Sequence, residues 1–124
     1  MIENKEISIL GTEYKIEVVD PEKDEVMKDT GAKGYMDGLG KRIAIADMEA
    51  HYKCKYMTAE EMEIEERHCL RHEIIHAFLY ESGLDRNTGV PDSGWADHEE
   101  MVDFFAMQMP KMIKAFREAG CEVY

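Results

Sequence analysis

Residues 72–76 read His-Glu-Ile-Ile-His, and this segment constrains the fold of the chain more than any other. Four residues make slightly more than one turn of an α-helix, so His72 and His76 fall on one face and can share a cation. Glu73 lies about 100° further round the helix, where its carboxylate can reach a water molecule on that cation without being a ligand. Because a hydrolytic zinc site requires this arrangement, the pentapeptide predicts a helix and a zinc centre on one of its faces.

The flanking residues predict where this helix begins and ends. Thr58 and Glu61 have the spacing of a capping box, and Gly83 is a typical C-terminal stop. Between these limits, apolar residues lie on most of the helix circumference, which is typical of a central, buried helix. The two histidines are therefore expected to lie in a crevice rather than on an open surface.

A zinc ion held by two histidines of one helix needs a third protein ligand from elsewhere. His98 and Glu99 are the candidates, and only one of them is expected to face the ion because they point about 100° apart on a helix. His98 falls in the middle of the apolar stripe of the second helix, whereas Glu99 lies at its edge, in line with Asp103. We predict Glu99, because a site that admits a peptide belongs at the edge of a helix–helix interface. In addition, Asp103 can accept the free ring N–H of a ligating histidine.

The order H-E-x-x-H followed by E-x-x-x-D, at residues 72–76 and 99–103, resembles the gluzincin metallopeptidases. The compact size, Phe105-Ala106 and Met109-Pro110 are similar to the small members called the ImmA/IrrE family. Members of that family occur in bacteria, phages and mobile elements, where those that are known cleave repressor proteins. The resemblance covers roughly residues 34–112 and implies a minimal zincin-like domain.

The resemblance also implies roles for individual residues. Glu99 would be the third zinc ligand, and Asp103, where many members have Asn, would support a ligating histidine. The strand predicted at Lys41–Asp47 would be the edge strand to which an extended peptide adds. The implied activity is hydrolysis of a peptide bond in a protein substrate, with zinc as cofactor and Glu73 as the general base.

Together with the motif helix, the remaining sequence predicts one small α+β domain that spans residues 1–124. Alternating apolar and polar residues indicate one hairpin at 6–19 and a second at 35–47. A short helix is expected at 21–29, a loop at 83–94, and a second long helix at 97–119 that Pro110 kinks or restarts. We therefore predict a small antiparallel sheet of two N-terminal hairpins, packed on two main helices.

Composition restricts the location and the partners. The net charge of −12 repels phosphate backbones and excludes nucleic acid as a direct partner. No apolar run approaches the length of a membrane span, and the N-terminus has no signal-peptide core. The three cysteines show no C-x-x-C pairing, which favours a reducing compartment. We expect a cytoplasmic protein that acts on a protein or peptide substrate, and the oligomeric state stays open.

Two alternatives from other classes remain at this point. A catalytically idle metal-binding or partner-binding module of phage or mobile-element origin would keep the histidines but has no use for Glu73. A metal-free α+β protein would use His72 and His76 as hydrogen-bonded core residues. His68, one turn before His72, is expected to be solvated or to support the centre rather than to bind the ion. A Tyr or His would serve as the oxyanion donor, and the sequence does not choose one.

Overall fold

Two β-hairpins and two long helices form most of the fold in a computed structural model, which describes residues 2–51, 57–86 and 95–123. The strands are β1 (Lys5–Ile9), β2 (Thr12–Val19), β3 (Gly34–Asp37) and β4 (Arg42–Ala46). β1 pairs with β2 and β3 pairs with β4, each antiparallel, so both predicted hairpins are confirmed. The first hairpin turns at Leu10 and Gly11, which both have positive φ, as the twist of a two-residue hairpin turn favours.

The two hairpins meet through β2 and β4, which pair in parallel, and the strand order is β1-β2-β4-β3. The sheet is therefore mixed, and the prediction of a purely antiparallel sheet was wrong at this pairing. The chain crosses from β2 to β3 through a short helix, α1 (Glu25–Thr30), which allows the parallel arrangement. The α+β class is confirmed, because a small sheet packs against two main helices as predicted.

The strand predicted as the substrate-pairing edge, Lys41–Asp47, corresponds to β4. That prediction was wrong, because β4 lies between β2 and β3, and β3 forms the edge of the sheet on this side. The local sequence contains the reason, since Ile43 to Ala46 are four consecutive apolar residues that are all completely buried. A continuous apolar run is typical of a strand in a parallel pairing with both faces covered.

In the described part of the chain, three α-helices follow the sheet: α2 (Met48–His51), α3 (Ala59–Ser82) and α4 (Glu99–Ala119). α3 begins at the predicted capping box, in which the Glu61 N–H donates to Thr58 Oγ1 at 3.1 Å. The Thr58 N–H donates in return to the Glu61 carboxylate at 2.6 Å. The helix ends at Gly83, which adopts a left-handed φ of 80°. The predicted limits of the motif helix are therefore confirmed.

α4 begins two residues later than predicted, because His98 is its N-cap and not a helical residue. The helix runs through Pro110 without a restart and ends at Gly120. A 3-10 turn at Leu84–Arg86 follows α3, and the remainder of the predicted loop, residues 87–94, lies outside the described residues. Cys69 and Cys121 are free thiols, and Cys54 lies outside the described residues as well.

The core lies between the sheet and α3, which confirms α3 as the central helix. Its buried residues come from β1, β2, β4 and α3: Ile9, Tyr14, Ile16, Ile43, Ile45 and Ala77. α4 packs against α3, and its buried residues are Val102 and Ala106. α3 therefore contacts both the sheet and α4 and can present side chains to the groove beside them. Within the described part of the chain, no helix is long and apolar enough to cross a membrane.

Candidate metal centre

Three predicted ligands meet where the N-terminus of α4 contacts the middle of α3. His72 and His76 lie one turn apart on α3, and their Nε2 atoms are 3.1 Å from each other. Glu99, the first residue of α4, places one carboxylate oxygen 3.0 Å from His72 Nε2 and the other 2.9 Å from His76 Nε2. The structure therefore brings together the two histidines and the carboxylate that the sequence singled out.

The geometry of these donors fits a zinc ion. Atoms bound to tetrahedral zinc at about 2.0–2.1 Å lie about 3.3–3.4 Å from one another. The three separations given above are within a few tenths of an ångström of that value, and the two that involve Glu99 use one carboxylate oxygen each. Two imidazoles and one carboxylate also form a ligand set that catalytic zinc uses. The residues present are therefore able to hold Zn²⁺, and they leave one tetrahedral position for a water molecule or a substrate.

His98, the competing candidate for the third ligand, is instead the N-cap residue of α4. Its Nδ1 accepts a hydrogen bond from the Met101 N–H at 3.3 Å and so caps the first turn of α4. His98 does not join the group of donor atoms around His72 and His76, whereas Glu99 does. The Glu99 side chain is 69% exposed, against 18% and 19% for the two histidines. The cluster therefore opens to solvent on the side of α4, at the edge of the helix–helix interface.

Glu73 lies beside the cluster without belonging to it. Burial raises the pKa of the Glu73 carboxyl to about 7; the neighbouring His72 opposes this rise and the charge of Glu99 adds to it. A cation held by the three donors would lower that pKa again, because an opposite charge favours the ionised carboxylate. A carboxyl group that titrates near neutrality is able to take up a proton and give it back.

Burial lowers the pKa of His76, although Glu99 opposes this effect. The lower pKa favours the neutral ring, which is the form that binds metal ions through a nitrogen lone pair. His72 is oriented by a contact on its other side, where its Nδ1 lies 3.3 Å from Asp103 Oδ1. A hydrogen bond at Nδ1 directs the Nε2 lone pair toward Glu99 and His76.

The same Asp103 oxygen lies 2.7 Å from His68 Nε2, which is a shorter contact than the one to His72. The hydrogen bond with His68 is also the main cause that holds the pKa of Asp103 below its ordinary value. From the sequence, His68 was predicted to be solvated or to support the centre, without a named partner. Its spacing could have indicated a contact with the centre, because His68, His72 and His76 follow one another at intervals of one helical turn.

The half-buried edge strand β3 lies beside this cluster. A cavity of about 360 Å³ is lined by β3, α3 and α4 residues: Gly34, Tyr35, Met36, His72, Glu73, His76 and Glu99. A second cavity of about 210 Å³ also includes Gly34, His72 and Glu73, and extends toward Lys33, Glu65 and His68. Because the two cavities share three residues, a groove follows β3 on both sides of Glu73.

Gly34 brings the backbone of β3 close to Glu73. A Cβ atom at position 34 would lie 3.5 Å from Glu73 Cγ and only 3.0 Å from Ile45 Cδ1. The next residue, Tyr35, donates its hydroxyl to Asp24 at 2.8 Å, so this hydroxyl is already engaged away from the cluster. The Tyr35 hydroxyl is therefore not placed as the oxyanion donor that the sequence left open.

Comparison with protein-family models, curated proteins and solved structures finds no match for this chain. Its function has to be inferred from the residues of the site.

Proposed function

We propose that this chain is a zinc-dependent metallopeptidase of the gluzincin type, similar to the compact ImmA/IrrE family. One observation carries the proposal: the Nε2 atoms of His72 and His76 and the carboxylate of Glu99 converge, with Glu73 next to them. A histidine pair buried only for structural reasons would not require a carboxylate from a second helix against both rings. An idle metal site would not require a buried glutamate beside the open position.

In this proposal, His72, His76 and Glu99 hold the zinc ion. When bound, zinc supplies a Lewis acid that polarises a carbonyl group and lowers the pKa of a water molecule toward about 7. Glu73 takes the proton from the attacking water and later delivers it to the amine that leaves. Its burial between α3 and β3 supports this role, because a partly desolvated carboxyl exchanges protons near neutral pH.

The substrate in this proposal is a peptide segment in extended conformation. β3 is the edge of the sheet beside the cluster. Its outer backbone groups have no strand partner among residues 2–51, 57–86 and 95–123 and can pair with a peptide. The groove along β3 passes Glu73 at Gly34, where no side chain stands between the strand and the carboxylate. A peptide bound to β3 would therefore bring its backbone past both Glu73 and the open zinc position.

Glu73→Gln separates catalysis from metal binding, because it removes the base and keeps the three ligands. We expect the variant to bind about one zinc ion per chain, as the wild type does, and to lose about 10²–10⁴-fold in cleavage rate. Metal content is measured on protein purified without a polyhistidine tag, and cleavage is measured on a casein or peptide-library digest by mass spectrometry.

His72→Ala is the matched control, since it should lose both the zinc and the cleavage. Equal cleavage by wild type and Glu73→Gln would overturn the mechanism. Zinc binding without cleavage of any substrate would favour the idle module instead, and a wild type without zinc would remove the metal centre.

A further inference from the structure

One oxygen of Asp103 is shared by two histidines of α3. His68 Nε2 is 2.7 Å from Asp103 Oδ1, and His72 Nδ1 is 3.3 Å from the same atom. The stronger contact by distance is therefore to the histidine that is not a proposed ligand. The 3.3 Å contact lies just beyond the usual range of 2.7–3.2 Å for a hydrogen bond of this kind, so small rotations of the Asp103 side chain would break it.

Asp103 has little else to hold it in this position. Its side chain is 44% exposed where it faces α3, so water competes for its oxygens. His68 is 27% exposed and lies within the groove lined by Lys33, Glu65 and Cys69. The partly buried His68 ring, which donates at 2.7 Å, restricts the rotamers of the Asp103 carboxylate. Because Asp103 is already restricted, its contact with His72 costs less conformational entropy.

His68 is not placed as a fourth ligand. Among the described residues, potential metal donors converge in two groups, His72 with His76 and Glu99 and, elsewhere, Asp20 with Glu22 and His51. His68 belongs to neither group, and its Nε2 atom is engaged by Asp103. Three side chains thus form a hydrogen-bonded series, here called the relay: His68 contacts Asp103, and Asp103 contacts His72. The relay extends from the groove to the proposed centre.

We propose that His68 is a positioning residue, which holds Asp103 against His72 Nδ1 and so keeps His72 Nε2 aimed at the metal. This inference rests on the proposed metal centre. Without His68, Asp103 is free to turn into solvent, and His72 can rotate or adopt the other tautomer. Zinc would then bind less tightly, although none of its ligands has been changed.

A double-mutant cycle on zinc affinity tests the relay. The zinc dissociation constants of wild type, His68→Ala, Asp103→Ala and the double variant are measured by competition with a chromophoric chelator. We expect His68→Ala to weaken binding about 3- to 10-fold, less than the ~10–100-fold typical of a residue that contacts the ligand directly. In the Asp103→Ala background, the same change should have no further effect, because the residue through which His68 acts is gone.

Two further variants separate positioning from a general effect on the fold. His68→Gln keeps an N–H donor at a similar reach and should restore most of the affinity. Arg67→Ala is the matched control, since Arg67 also lies on α3 and pairs with a carboxylate, Glu63, at 3.6 Å but lies outside the proposed centre. Its zinc affinity should equal that of the wild type. The melting temperature of each metal-free variant shows whether it is folded. If His68→Ala does not fold, we compare His68→Gln with His68→Asn instead. The Asn amide is too short to reach Asp103, so His68→Asn should bind zinc less tightly than His68→Gln.

The results distinguish failure of this inference from failure of the proposed function. If wild type binds zinc and His68→Ala binds it equally well, the positioning role is wrong and the metal centre stands. If the loss caused by His68→Ala persists in full in the Asp103→Ala background, His68 does not act through Asp103. If the wild type does not bind zinc, the proposed function and this inference fall together.

Discussion

At the scale of single residues, the start of α4 determines which of two neighbours faces the site. The chain enters the helix at His98 in an extended conformation, with φ −77° and ψ 106°, so this side chain turns back onto the Met101 N–H. Glu99 is the first helical residue and projects toward His72 and His76. A helical wheel places His98 at the centre of an apolar stripe, but a cap residue does not follow the wheel. The capping role of His98 therefore leaves Glu99 to face the two histidines, whereas the hydrophobic pattern of the helix would have favoured His98.

The first residue-scale prediction concerns zinc affinity. Glu99→Ala should weaken zinc binding by more than Asp103→Ala, for which a loss of about 10–100-fold is expected. His98→Asn should leave the affinity nearly unchanged, because Asn is also a good N-cap residue and keeps the first turn of α4 in place. Chelator competition gives the affinities, and circular dichroism verifies the helix content of each variant. A loss in His98→Asn as large as that in Glu99→Ala would contradict the assignment of the third ligand.

At the scale of elements, α4 contains a proline at its middle and still continues. Pro110 has no N–H, so the carbonyl of Ala106, four residues earlier, lacks its normal helical donor. Arg71 of α3 supplies a replacement, because its Nε–H donates to the Ala106 carbonyl at 2.5 Å. The lost hydrogen bond is visible in the sequence, which is why a kink or a restart was expected. The replacement donor is not visible, because nothing local to α4 indicates that an arginine of another helix will reach it.

Arg71 should therefore matter more to stability when Pro110 is present. Arg71→Ala leaves the buried Ala106 carbonyl without a donor, which costs about 1–3 kcal/mol in the free energy of unfolding. In a Pro110→Ala background, the helix regains its own N–H and the same arginine change should cost less. Urea denaturation of the four proteins measures the coupling. Arg67→Ala is the control one turn away on α3, where an exposed pair with Glu63 should contribute less than about 1 kcal/mol.

The two hairpins show what sequence alternation can and cannot determine. Alternation and the turn residues are sufficient to predict each hairpin, because the strands of a hairpin are local in the chain. They do not determine that β2 pairs with β4, which depends on how the crossover through α1 packs on the sheet. The same limit applies to the site: the spacing of His72, Glu73 and His76 is local and predictable. The position of Gly34 opposite Glu73 depends on the strand order.

A methyl group at Gly34 tests whether the substrate passes between β3 and Glu73. Gly34→Ala should keep full zinc binding and lower kcat/KM by about 10–100-fold, since a misplacement of about 1 Å can cost ~10²-fold. The new Cβ would also press on Ile45 Cδ1 and lower the stability. Adding Ile45→Val removes that atom and relieves the clash without recovering the cleavage, while the loss of a buried methyl costs about 0.5–1.5 kcal/mol on its own. Unchanged cleavage by Gly34→Ala would mean that the peptide follows another path.

At the scale of the whole molecule, α3 is attached firmly to the sheet and less completely to α4. Near its C-terminus, Glu81 accepts hydrogen bonds from Thr12, Tyr14 and Lys41, which ties the helix to both hairpins. Between α3 and α4, by contrast, the described residues line an apolar groove of about 480 Å³ that is open to solvent and includes Phe78, Trp95 and Phe105. Among the described residues, this face of the interface therefore gains less from packing than a filled core does. A link between the two helices would therefore add to the stability of the fold.

The proposed zinc ion is such a link, because two of its ligands belong to α3 and the third to α4. An ion that binds only the folded chain stabilises it by about 2.7 kcal/mol when its free concentration is 100-fold above the dissociation constant. For a domain of this size, that corresponds to a rise in melting temperature of roughly 10 °C. EDTA should therefore lower the melting temperature of the wild type, and zinc, but not magnesium, should restore it. His72→Ala should melt at one temperature with or without the chelator, because it has no ion to lose. If EDTA does not change the melting temperature of the wild type, α3 and α4 hold together without a metal, and Glu99 contacts the two histidines for another reason.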